Sequence, residues 1–217
     1  MAVIILHLSE KEISDLLFVG RLGRFLTVAP RENHKILIVH DGYYQARIVL
    51  ENEGHDVANL TQEDWAGSAA AVFTGIKALT RQIVNGLTDQ GVAAVGMQGA
   101  DRNLVALKDG QPVCPVPDRL SDLAANGIVP VLGPIISSTD GEKALESAEL
   151  ICQSIGDALA GSHDVTIGKF SDNPENVEAG ALNTYKSAAY TNFDSSISVE
   201  LIRAENLADT EFWERFS

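Results

Sequence analysis

Short runs of branched apolar residues alternate along this chain with longer stretches in which apolar residues recur every three or four positions. The short runs predict strands at residues 3–6, 35–40, 92–97, 128–132, 164–167 and 197–201. A further run at 104–107 leads into Asp109-Gly110, a pair typical of a hairpin turn. The run at 35–40 is apolar on successive positions, which indicates a strand covered on both faces.

The longer periodic stretches predict helices. One opens at Ser9, which precedes Glu12 by the three residues of a capping box. The others span residues 43–53, 62–90, 118–125 and 142–159, with an amphipathic tail at 207–216. Strands and helices in this order predict an α/β fold: a mainly parallel sheet sandwiched between helix layers, three layers in all.

Composition and charge restrict the kinds of partner. The 217 residues hold 16 Lys and Arg against 30 Asp and Glu, for a net charge of −14. Binding to nucleic acid or to an anionic membrane surface requires a basic face, so neither is expected. No stretch of 18 apolar residues predicts a membrane span, and residues 1–8 are predicted as a first strand. Cys114 and Cys152 are too few for a disulfide scaffold, and a cytoplasmic protein with reduced thiols is expected.

Candidate chemistry lies where predicted strands end, because ligands of parallel sheets bind at that edge. The segments concerned are residues 39–44, 96–103 and 132–135. Their glycines are compatible either with backbone amides that approach an anion or with simple tight turns. The sequence contains no phosphate-loop, dinucleotide or HExxH motif, and no metal ligands are predicted. His40 is interpreted as a structural residue, because it and Asp41 point to opposite faces of a strand.

Four segments resemble N-acetylglutamate kinases of the amino acid kinase family. Residues 73–87 and 90–103 are similar to a long helix that leads into the family pattern G-V-x-A-x-G-L-x-G-x-D. Residues 126–135 resemble the strand G-x-x-P-V-x-x-P, and residues 36–42 resemble the strand before the V-H-G-G-G loop. The order and spacing agree over roughly residues 1–167.

The resemblance implies an amino acid kinase fold and a reaction in which ATP and Mg²⁺ phosphorylate the carboxylate of an N-acyl amino acid. It also implies an acyl-amino-acid lobe over residues 1–167 and a truncated nucleotide lobe over 168–217, or one continuous domain. A homodimer through the long helix around 66–90 is a further implication.

Several residues that the family uses are replaced here. The K-x-G-G strand end falls on residues 5–9 (ILHLS), without lysine or glycine, and the triple-glycine loop becomes Asp41-Gly42-Tyr43. The substrate-gripping arginine has no counterpart at 60–65. The N-x-N-A-D motif falls on residues 145–149, where Glu149 keeps an acid, and the hairpin over the substrate shrinks to 108–117.

The resemblance therefore nominates candidate residues by position. Glu149 and Lys186 are the catalytic candidates, and Lys169 and Thr184 are the nucleotide-binding candidates. Candidates for an N-acyl amino acid ligand are Asp41, Gly42, Tyr43, Gly99, Ala100, Asp101 and Asn103.

Two hypotheses about function follow. The first is a kinase homologue that has lost phosphoryl transfer and acts in binding, regulation or assembly, since losing one electrostatic stabiliser typically costs about 10²–10³ in rate. The second is an active ATP-dependent kinase of the arginine-biosynthesis type with rearranged residues. No cofactor is certain, and ATP with Mg²⁺ is expected only if the protein is active.

Overall fold

The computed structural model describes residues 2–15, 17–30, 34–138, 140–170 and 197–215. Ten strands lie in this part of the chain: β1 Ala2–Leu8, β2 His34–His40, β3 Ala94–Gln98, β4 Ala106–Lys108, β5 Gln111–Val113, β6 Val129–Gly133, β7 Ile135–Ser137, β8 Lys143–Leu145, β9 Val165–Phe170 and β10 Ile197–Ile202. Its α-helices are α1 Glu10–Ser14, α2 Phe18–Val28, α3 Tyr43–Asn52, α4 Gln62–Thr88, α5 Asp118–Ala125, α6 Ala148–Leu159 and α7 Thr210–Glu214.

The main sheet has six strands in the order β10-β9-β1-β2-β6-β3, and every pair in it is parallel. A smaller sheet, β5-β4-β7-β8, contains the predicted hairpin at Asp109-Gly110. The prediction of a mainly parallel α/β fold is confirmed.

Alternation along β1 divides the core into two layers. Ile4, Leu6 and Leu8 pack with α2, α4 and the C-terminal segment on one face. Val3 and Ile5 pack with α5 and α6 on the other face. Because the central strands are buried on both faces, their sequences are continuous apolar runs, as the run at 35–40 predicted.

The helix starts follow local capping chemistry. Glu12 accepts hydrogen bonds from the backbone nitrogen and the hydroxyl of Ser9, so the predicted capping box is confirmed. The predicted helix at 142–159 is wrong at its start, because residues 143–145 form β8 and pair with β7. The helix proper begins after Ser147, whose hydroxyl accepts a hydrogen bond from the nitrogen of Glu149.

None of the described helices is both long enough and apolar enough to cross a membrane. Both cysteines, Cys114 and Cys152, are free thiols in the layer formed by α5 and α6. Burial raises the pKa of Cys114 to about 11, so its thiol is protonated and unreactive at neutral pH.

Candidate functional site at the carboxyl edge of the sheet

The order of the strands defines a switch point between β1 and β9. From β1 the chain continues to β2 on one side, whereas β9 and β10 lie on the other side. Loops that leave adjacent strands in opposite directions open a crevice at the carboxyl ends of those strands, where ligands of α/β sheets bind. The residues at this edge are therefore the candidate site.

His7 is the most deeply buried polar group at the switch point. It lies beside Val39 of β2 and Lys169 of β9 in register, and its side chain is 4% exposed. Its Nε2 atom is buried without a hydrogen-bond partner. Burial, followed by the charge of Lys169, lowers the pKa of His7 to about 4. The ring is therefore neutral at pH 7. It cannot supply the positive charge that would attract a phosphate group to this position.

Glu149 and Lys169 form an ion pair next to His7. The carboxylate of Glu149, in the first turn of α6, bonds to the Nζ atom of Lys169. Their side chains are 28% and 24% exposed, respectively. The sequence assigned these residues to different roles, one catalytic and one nucleotide-binding, and the fold places them in contact. The positive charge of Lys169 is thus balanced by protein.

Asp41 occupies the amino end of α3. Its Oδ1 atom accepts hydrogen bonds from the backbone nitrogens of Gly42, at 2.6 Å, and Tyr43, at 2.9 Å. The free amides and the dipole at a helix start attract anions, and here a side-chain carboxylate already fills that position. A Cβ on Gly42 would lie 2.5 Å from the Cγ atom of Pro134, so the turn is also closely packed.

Tyr43 flanks this helix start on its solvent side. The residue is 50% exposed. Partial burial raises the pKa of its phenol, and the charges of Glu146 and Asp41 add to that shift. The surroundings of Tyr43 are therefore acidic, which opposes the approach of a second anion.

The predicted ligand loop at 99–103 is held by its own polar groups. Asp101 accepts a hydrogen bond from the nitrogen of Gln98, and Asn103 accepts one from the hydroxyl of Ser137. Ala100 donates its backbone hydrogen to the oxygen of Ile135 at 2.7 Å. A Cβ on Gly99 would lie 2.7 Å from Ile136, so this glycine allows close packing against β7. These contacts fasten the loop to the smaller sheet.

A hydrogen-bond network beneath the edge connects β2, β3 and α4. His40 is fully buried, and burial lowers its pKa to about 4. The neutral ring donates to the oxygen of Asp41 at 2.7 Å and accepts from Thr80 at 2.8 Å. Gln98 donates to the same Thr80 hydroxyl at 2.8 Å. His40 therefore has the contacts of a structural residue, as its place in the sequence suggested.

Lys186 and Thr184, the remaining two candidates, lie outside the described residues. Within the described ranges, no group of three or more His, Cys, Asp or Glu side chains is arranged to hold a metal ion.

Sequence reasoning missed His7 as a site residue. The end of the first strand lacks the family's lysine and glycine, and the histidine at that position was not predicted to be functional. The available signal was a titratable residue inside an otherwise apolar strand.

No protein-family model matches the sequence. Among curated proteins, the acetylglutamate kinase of Parabacteroides distasonis is 30% identical over an alignment of 153 positions, which covers 63% of this chain and 58% of that protein. The acetylglutamate kinase of Bacteroides fragilis is 29% identical over an alignment of 153 positions, which covers 63% of this chain and 57% of that protein. The matched region thus spans little more than half the length of these relatives.

Solved structures resemble this fold over nearly its whole length. The protein smu.665 of Streptococcus mutans UA159 superposes with a TM-score of 0.66 at 14% identity, covering 92% of this chain and 94% of that one. An isopentenyl phosphate kinase superposes with a TM-score of 0.61 at 16% identity, covering 98% of this chain and 96% of the kinase. The chain is therefore similar in sequence to acetylglutamate kinases and has the fold of the solved isopentenyl phosphate kinase.

Proposed function

We propose that this protein is an acetylglutamate kinase-like homologue that has lost phosphoryl transfer and acts in binding, regulation or assembly. The observation that carries the proposal is the Asp41 carboxylate on the first amides of α3. An incoming phosphate would have to displace that carboxylate or lie beside it, and both arrangements are unfavourable.

The charges of neighbouring residues support the same proposal. His7 is neutral, Lys169 is paired with Glu149, and Glu146 adds a further carboxylate near Tyr43. Phosphoryl transfer depends on cations and amides that stabilise the charge of the moving group. With Lys169 paired and the start of α3 filled, two of the groups that could supply that stabilisation are already engaged.

ATP and Mg²⁺ belong to the proposal only if the protein is active. The carboxylates of Asp41 and Glu149 already have protein partners. They are therefore poor ligands for Mg²⁺, which prefers free carboxylates and water in octahedral geometry. The described residues do not fit the metal, and no catalytic step is assigned to it.

An assembly role fits the long helix α4. One face of α4 packs against the sheet and α3, while β3, which lies beside it, is an edge strand. We propose a homodimer through this helix in the cytoplasm, and an N-acyl amino acid as the ligand of the protein. Light scattering coupled to size exclusion measures the oligomeric state, and a monomer at micromolar concentration would overturn the dimer.

The alternative is an active kinase that phosphorylates the carboxylate of an N-acyl amino acid. The Glu149–Lys169 pair favours it, because an acid and a lysine remain together at the switch point. In that case Lys186 supplies the second positive charge. Lys186→Ala would then abolish ATP turnover, whereas unchanged turnover would contradict this role.

Release of ADP decides between the two functions. The purified protein is incubated with ATP, Mg²⁺ and N-acetylglutamate, and ADP is measured by a coupled assay. We expect the rate with protein to equal the rate in buffer. Turnover that requires N-acetylglutamate and disappears in Lys169→Ala would overturn the proposal, while turnover that survives in this variant identifies a contaminating kinase.

A further inference from the structure

A pocket of about 500 Å³ lies on the face of the sheet opposite His7. It opens between α1, the start of α2, the end of β9 and the residues that follow β10. Its volume lies within the range of pockets that bind small molecules. Its lining includes two aromatic rings and several charged side chains: Phe18, Phe170, Glu12, Asp15, Arg21 and Arg203.

Two aromatic rings form the apolar wall of the pocket. Phe18 of α2 and Phe170 of β9 meet edge to face, with ring centroids 5.0 Å apart. The guanidinium carbon of Arg21 lies 6.0 Å from the centroid of Phe18. An aromatic pair of this kind offers both ring faces and edges to an apolar ligand.

Two of the three acidic side chains of the lining, Glu12 and Asp15, have partners within the protein, and the third, Glu205, is exposed. Glu12 is held by Ser9 in the capping box. Asp15 accepts a hydrogen bond from the nitrogen of Leu17 at 2.9 Å and pairs with Arg21 at 2.6 Å. The negative charges of Glu12 and Asp15 are therefore satisfied without a ligand.

Arg203 differs from these residues. Its Nε atom is buried and has no hydrogen-bond partner. Its backbone nitrogen donates to Oδ1 of Asn206 at 2.8 Å, which fixes the residue at the start of the 3-10 helix Ala204–Ala208. A guanidinium is charged at every physiological pH and presents its donors in a planar fork that suits carboxylate and phosphate.

We propose that this pocket binds a small molecule with an anionic group, a carboxylate or phosphate, on an aromatic body. The anion pairs with Arg203, and the ring packs against Phe18 and Phe170. This site is separate from the switch point, since Phe170 and Lys169 lie on opposite faces of β9. Its occupation does not depend on the proposed loss of phosphoryl transfer.

The test is a titration of the full chain by isothermal calorimetry with phenyl phosphate, benzoate, phenol and inorganic phosphate. We expect phenyl phosphate and benzoate to bind about tenfold more tightly than phenol or inorganic phosphate, because only they satisfy both Arg203 and the rings. If one of the two anions binds and the other does not, the class narrows to phosphate or carboxylate.

Arg203→Gln removes the anchor and should weaken phenyl phosphate at least about tenfold. Arg203→Lys keeps the charge without the fork and should bind with intermediate affinity. Arg24→Gln, an exposed arginine of α2 outside the lining, is the matched control and should bind as the wild type does. Equal affinity in the wild type and a folded Arg203→Gln would overturn the proposal, as would absence of saturation up to about 10 mM.

Discussion

Two lysine–histidine pairs lie at opposite ends of the same parallel sheet. At the carboxyl edge, Lys169 of β9 stands in register with His7 of β1. At the amino edge, Lys35 near the start of β2 donates to Nε2 of His163 at 2.8 Å. The residue types are the same, but the surroundings differ.

The amino-edge pair is a satisfied structural cluster. Lys35 also donates to the hydroxyl of Ser121 at 3.2 Å, and His163 bonds through Nδ1 to Ser162 at 2.7 Å. Because Nε2 of His163 accepts a hydrogen bond, that ring is neutral. Burial and the charge of Lys35 both lower its pKa. Lys35 and Ser121 are therefore buried together with their partners, as stable interiors require.

The carboxyl-edge pair leaves its histidine unsatisfied. Lys169 turns to Glu149, and Nε2 of His7 is buried without a partner. A buried donor or acceptor without a partner costs about 1–3 kcal/mol of stability. This cost therefore lies at the switch point, on the same edge of the sheet as Asp41 at the start of α3.

Acidification should have the largest effect and should distinguish the two ends. His7 has a pKa of about 4 in the fold and an unperturbed value of 6.5, so the unfolded chain binds its proton first as the pH falls. The stability linked to His7 is complete above pH 6.5 and decreases down to pH 4, by about 3 kcal/mol at that limit. Urea unfolding across this range measures the loss.

The variants His7→Gln and His163→Gln assign that loss to an edge of the sheet. His7→Gln should flatten the profile more, because His7 is buried whereas His163 is partly exposed. His40 titrates in both variants and contributes equally. If the His7→Gln profile superimposes on that of the wild type, the description of the carboxyl edge is wrong.

Ser121→Ala should have the next largest effect. Ser121 is buried and accepts a hydrogen bond from the charged Lys35, so its removal should lower the free energy of unfolding by about 2 kcal/mol. Ser154→Ala is a matched control, since Ser154 is also buried but bonds only to a carbonyl of its own helix. An equal decrease in the free energy of unfolding in both variants would show that the hydrogen bond from Lys35 adds no stability beyond that of an ordinary buried serine.

Glu149→Gln should have the smallest effect on stability. Both partners of the Glu149–Lys169 pair are about a quarter exposed, so solvent screens the attraction and the loss should be below about 1 kcal/mol. The difference from the wild type should shrink in 1 M salt. If Glu149→Gln lowers the free energy of unfolding more than Ser121→Ala does, the Glu149–Lys169 pair contributes more stability than the amino-edge cluster, which contradicts this comparison.

The sequence predicted those parts of the fold that local patterns determine. The run at 35–40 gave β2, and Ser9 with Glu12 gave the start of α1. Residues 143–145 were assigned to a helix because their strand structure arises from pairing with β7, a contact between distant segments. A local pattern contains no information about such a partner.

The candidate site was predictable in its loops but not in its pairings. The sequence placed Asp41, Gly42 and Tyr43 between a strand and a helix as candidates for a ligand. It did not predict that Asp41 accepts hydrogen bonds from the first amides of α3. Two pairings depend on the order of strands in the sheet. One is the ion pair of Glu149 with Lys169, and the other is the shared lining of a pocket by Arg203 and Phe18. Strand order is decided by the packing of the whole chain.

The central claim is that Asp41 fills the anion position at the start of α3. The most direct test follows the backbone amide resonances of Gly42 and Tyr43 by ¹H–¹⁵N NMR while inorganic phosphate is added to the wild type and to Asp41→Asn. We expect no saturable shift in the wild type and a saturable shift in Asp41→Asn, where the competing charge is gone. A saturable shift of both amides in the wild type would contradict the account.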